Sequence, residues 1–122
     1  MKYALLIYAA PGPREAVQPA DDGVIDSWVD YTAAVKDAGV LLGAERLAHA
    51  DTATSVTLQG GQRMLTDGPF METKEHLLGF YLVDVPDLDT ALDWAARMPA
   101  VRHGTVEVRR VREGEAWRAP LE

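Results

Sequence analysis

Five ionisable side chains fall within ten positions in Asp67-Gly68-Pro69-Phe70-Met71-Glu72-Thr73-Lys74-Glu75-His76. A carboxylate held at a strand end can take a proton as general base, and a neighbouring ammonium can hold an anionic substrate group. Asp67 is therefore the candidate base, with Glu72, Lys74 and Glu75 as candidate substrate contacts. The same residues also make sense without chemistry. Asp-Gly-Pro is a turn sequence, and Glu72, Lys74 and Glu75 would serve equally as a solvated strand edge or short helix.

Other candidates lie further along. His103 stands just before the last expected strand and could face the 67–75 segment, which makes it the second candidate catalytic residue. Arg109 offers a planar fork that can pair with Glu72 or Glu75, or grip a substrate carboxylate. Tyr81, together with Tyr3 and Tyr8, carries an apolar ring with one hydrogen-bonding tip, suited either to the core or to the lining of a cavity. His49, His76 and His103 are far apart and lack metal-ligand spacing, and cysteine is absent, so neither a metal nor a cofactor is expected.

The elements that must position these residues are legible from periodicity. Residues 3–10 form an apolar run ended by Pro11-Gly12-Pro13, which suits a central strand, and 11–22 read as a proline-rich loop. Helical spacing then joins Ile25, Trp28, Val29, Thr32 and Val35, with Asp21 or Asp22 as cap and Gly39 as terminator. Val40–Ala44 is a strand start or a connector. Thr52–Leu58 and Arg63–Thr66 make a hairpin around Gly60-Gly61, because glycine takes the positive φ angles of tight turns. Leu78, Phe80 and Leu82 alternate with Gly79, Tyr81 and Val83 in a further strand. Asp87 or Asp89 caps a second helix with the stripe Leu88, Ala91, Leu92, Ala95 and Met98, closed by Pro99. Thr105–Val111 is the last strand, with a bulge or strand end near Arg109-Arg110.

Two helices on one face of a mainly antiparallel sheet make an α+β, ferredoxin-like βαββαβ arrangement in one domain over residues 1–122. Too many strand residues are apolar for the other face to stay wet, so a homodimer packed sheet to sheet is expected. With 122 residues and a formal charge of −7, the chain is not expected to bind nucleic acid directly. The late arginines are interleaved with Glu107, Glu113 and Glu115, a charge-paired surface. No apolar run approaches the roughly 20 residues that span a bilayer, and the N-terminal run lacks a cleavage site, so a cytoplasmic protein without membrane contact is expected.

Asp67-Gly68-Pro69-Phe70, Glu72, Lys74, Glu75 and Gly79-Phe80 resemble the signature of the DGPF-domain proteins, a branch of the YciI-like (YCII-related) family. The resemblance continues through Ala91, Trp94, Pro99, Gly104 and Glu107-Val108-Arg109 and covers essentially the whole chain. It implies a ferredoxin-like fold paired into a dimeric α+β barrel. For function it implies a protein without defined activity, an accessory to extracytoplasmic-function sigma factors, ahead of a small-molecule-binding enzyme with a pocket near Asp67. Proton transfer, lyase-like chemistry or cofactor-free oxygenation would suit such an enzyme. The His–Asp pair suggested for some members does not carry over, since the first helix has Trp28 and Tyr31 but no histidine. Leu78 replaces a usual glycine, and Arg110 a usual proline.

Overall fold

A single apolar strand organises the fold. The computed structural model describes residues 1–10, 22–71 and 74–112, with backbone alone for 22–26. In chain order it contains β1 (Lys2–Ala9), α1 (Asp22–Asp37), β2 (Leu41–Arg46), a 3-10 turn (Ala50–Thr52), β3 (Thr54–Gln59), β4 (Gln62–Asp67), β5 (His76–Asp84), α2 (Leu88–Ala96), a second 3-10 turn (Pro99–Arg102) and β6 (Thr105–Arg110). The main sheet has the order β2-β5-β1-β6, and every neighbouring pair is antiparallel. This is the ferredoxin-like α+β arrangement, with β1 between two partners.

The core lies on one face of that sheet. Tyr3, Leu5 and Ile7 of β1 and Tyr81 and Val83 of β5 pack against Tyr31 and Val35 of α1, Ala91 and Ala95 of α2, and Met98. Both helix stripes are narrower than their spacing suggests. Val29 is 61% exposed and Leu88 and Leu92 are nearly half exposed, because each sits at the rim of an arc centred on Tyr31–Val35 or Ala91–Ala95. Asp22, expected as the end of the 11–22 loop or as a cap, is the first residue of α1, and the rest of that loop and the Asp21 cap lie outside the described residues. Gly39, at φ 75°, ends α1.

The second strand of the βαββαβ core is Leu41–Arg46, the stretch whose residues alone left strand or connector open. The hairpin β3–β4 forms a separate two-stranded sheet instead. Burial decides between them: Leu41 and Ala44 pack on the core, whereas every hairpin residue except Ser55 is exposed. Gly60 and Gly61 turn the hairpin at φ 57° and 82°.

Cross-strand partners share a face, so the register defines the side of the sheet that no helix among the described residues covers. It carries Ala4 with Leu82 and Arg109, Leu6 with Phe80 and Glu107, and Tyr8 with Leu77 and Thr105. A register shift between Ile7 and Tyr8 breaks the alternation of β5, and Leu78 packs with the core instead of joining Phe80 and Leu82. At the other end of the sheet, Arg110 still pairs with Tyr3, and the Val111 amide donates to the Lys2 carbonyl at 2.8 Å. Lys2 and Val111 are thus a hydrogen-bonded pair, and the amide of Arg110 next to them points away from β1. The irregularity expected near Arg109-Arg110 is thus a strand end.

Candidate functional site

Asp67 is the last residue of β4, paired with Thr54, and His76 is the first residue of β5. The segment between them starts from a braced turn. The Gly68 amide donates to the Ala53 carbonyl at 2.7 Å, and the Ser55 hydroxyl donates to the Gly68 carbonyl at 2.9 Å. Phe70 and Met71 follow, 79% and 62% exposed. Lys74 and Glu75 are exposed beside the start of β5, while Glu72 lies outside the described residues.

His76 differs from its neighbours. It pairs with Ala9 at the end of β1, and its Nδ1 is buried without a hydrogen-bond partner among the described residues. Buried polar atoms are nearly always satisfied, so an orphan of this kind asks for a ligand group or a water. Residue types alone did not single His76 out; its place at the close of the charged segment was the available signal. His49 has a local role, its Nδ1 accepting from the Asp51 amide at 3.1 Å at the first 3-10 turn.

His103 ends the second 3-10 turn and is exposed. The next residue fixes its position. A Cβ on Gly104 would stand 2.1 Å from the Tyr8 carbonyl oxygen, so the chain crosses against the end of β1 where only glycine fits. Ala9 therefore has His76 on one side and the His103–Gly104 crossing on the other, which brings both histidines to one sheet end. Neighbouring strands lie about 4.8 Å apart, so His76 and this crossing are separated by two strand spacings, roughly 10 Å.

Arg109 and Tyr81 lie elsewhere. Arg109 is paired across from Ala4, five residues up β1 from Ala9, or roughly 17 Å at about 3.3 Å per residue. Its Nε is 3.5 Å from Glu107, a pair exposed to solvent, and not beside Glu75. Tyr81 belongs to the core: it is stacked on Trp28 with centroids 5.9 Å apart, and its hydroxyl shares a 2.6 Å hydrogen bond with Thr32. Tyr3 is buried on that same side, which leaves Tyr8 as the one tyrosine of the three on the uncovered face. No group of three or more potential metal ligands occurs among the described residues.

Lys74, Glu75 and His76 thus lie at the start of β5 and His103 beside the facing end of β1, while Asp67 closes β4 of the separate hairpin. The YCII-related domain family matches residues 1–115 of this sequence. The chain belongs to the YCII-related family. An uncharacterized protein of Rhizobium meliloti (strain 1021) is 38% identical to this YCII-related chain over 96 residues, 78% of this chain and 77% of the relative. No helix among the described residues is long and apolar enough to cross a membrane.

Proposed function

We propose that this YCII-related protein is a homodimer that binds a small polar molecule at the sheet end, with Asp67 as the proton acceptor. His76 carries the reading: an imidazole nitrogen buried without a partner among the described residues, at the end of the charged segment, is better explained by a ligand than by a turn alone. Lys74 supplies a cation for an anionic substituent, and His103 a second titratable group. Glu75 completes the polar border.

Dimerisation rests on the uncovered face. Leu6, Phe80, Leu82, Tyr8 and Leu77 form one side of the sheet without a helix, and Val56, Leu58 and Leu65 of the hairpin are more than half exposed. A second copy seated there would remove this apolar surface from water. Sedimentation equilibrium should give twice the chain mass, and Phe80→Glu should give single chains with an unchanged far-ultraviolet spectrum. A thermal-shift screen of small polar metabolites should find at least one stabiliser whose effect is lost in Asp67→Asn and His76→Gln. A single-chain wild type would end the dimer reading, and a stabiliser indifferent to both substitutions would end the site.

A second reading, an accessory that binds a sigma factor, draws on exposed Phe70 and Met71 and on the net charge of −7. An acidic surface with an apolar tip suits a basic protein partner. Copurification with a genomically adjacent sigma factor at low salt, lost at high salt and in Phe70→Ser, would support it. No copurification at low salt would remove it.

A further inference from the structure

On the helix side of the sheet a groove of about 460 Å³ runs between α1 and the chain from the end of α2 through the second 3-10 turn. Asp30, Tyr31 and Ala34 form one wall, and Arg97, Met98 and Arg102 the other. The volume is that of a small-metabolite site, and its position is independent of the Asp67 segment.

Its charge is unusual for this molecule. Two guanidiniums face one carboxylate in a chain whose formal charge is −7. Among the described residues, neither Arg97 nor Arg102 lies within ion-pair distance of an acid, and Asp30 has no cation. Arg97 is instead held by its flat face, with Cζ 4.3 Å from the centroid of the Trp94 ring. That contact occupies the π-face of the guanidinium and leaves its in-plane N–H donors for an acceptor. Stabilisation of the α2 C-terminus accounts for a cation at position 97, but not for a second one at the end of the next turn.

The rest of the groove is neutral. The Tyr31 hydroxyl donates to the Trp94 carbonyl at 2.8 Å, and burial holds the phenol protonated, so it adds no negative charge. Met98 is almost fully buried at the base of that wall, and the partly exposed Ala34 and Pro99 give an apolar body something to pack on.

We propose that this groove binds a small organic anion, its carboxylate or phosphate gripped by Arg97 and Arg102 and its hydroxyl or amino group meeting Asp30. Fork-shaped donors recognise planar or tetrahedral oxyanions through charge-assisted hydrogen bonds, and a carboxylate opposite selects a donor at the other end.

Titration of the ¹⁵N-labelled protein with sodium phosphate and, separately, with sodium lactate at constant ionic strength tests this. Saturable shifts are expected at the Arg97 and Arg102 Nε–Hε groups and at the amides of 30–34 and 97–102, with β1 and β5 unmoved. Arg97→Gln and Arg102→Gln should each weaken the response by about tenfold, as expected for one charge-assisted contact. Asp30→Asn should weaken lactate more than phosphate. Saturation by one anion alone assigns the oxyanion class. Shifts that stay linear for both, or that persist unchanged in the double arginine variant, overturn the proposal. Arg102 is exposed and outside the core, so Arg102→Gln carries the test if Arg97→Gln perturbs α2.

Discussion

At Tyr31 a polar atom is taken into the core without being wasted. Its hydroxyl meets the Trp94 carbonyl, and its ring is edge-on to Trp28, Tyr81 and Trp94. Tyr31→Phe should therefore cost about 1 kcal/mol in denaturant titration, since it strands a carbonyl while keeping the ring. Burial raises the phenol pKa above its ordinary 10.0. Its stabilising contribution is then complete below pH 10, and it is lost as pH rises above that value, where the unfolded chain ionises first. The decline in stability above pH 10 should be shallower in Tyr31→Phe. Leu5, fully buried beneath both helices, should lose about 2–5 kcal/mol on truncation to alanine, read from the denaturation midpoint and slope. Leu5 was legible as core from its run of apolar neighbours. Tyr81 was not, because an amphipathic ring suits a core and a cavity equally, and only Thr32 and Trp28 decide between them.

Elements depend on a few terminal contacts. Asp87 caps α2 by accepting from the Thr90 amide at 2.8 Å and the Thr90 hydroxyl at 2.7 Å. These bonds favour the carboxylate and lower its pKa. Its contribution is present above the ordinary carboxylate range and disappears as pH falls through the depressed value. Asp87→Ala should lower Tm at neutral pH, and the difference from wild type should shrink in strong acid. Gly104 holds the crossing against β1. Gly104→Ala should destabilise by about 1–3 kcal/mol, because the Tyr8 carbonyl must yield to the new methyl group. A melting temperature equal to wild type would show that this crossing has slack. A cap at Asp87 or Asp89 could be read before the apolar stripe, and the contacts to Thr90 assign it to Asp87. The bulge at the start of β5 could not, since Leu78 fits the alternation perfectly well on paper.

For the whole molecule, the uncovered sheet face and the exposed hairpin set the expectation that assembly contributes to stability. Tm should rise with protein concentration in the wild type and not in Phe80→Glu, measured by calorimetry over a wide dilution range. Equal Tm at all concentrations would mean that this face tolerates water. The strands, helices, hairpin and charged turn follow from local periodicity and turn chemistry, since apolar spacing and glycine conformations are properties of short stretches of chain. Sheet order is different: the place of Leu41–Arg46 beside β5, with the hairpin outside, depends on which residues bury against distant partners. The same holds for the candidate sites. Asp67, Lys74 and Glu75 announce themselves by residue type within one segment, whereas His76 does not. Only tertiary packing separates Arg109 from that segment, leaves the His76 Nδ1 without a partner among the described residues, and draws Asp30, Arg97 and Arg102 around one groove, because each outcome is set by contacts between parts of the chain that are remote in sequence.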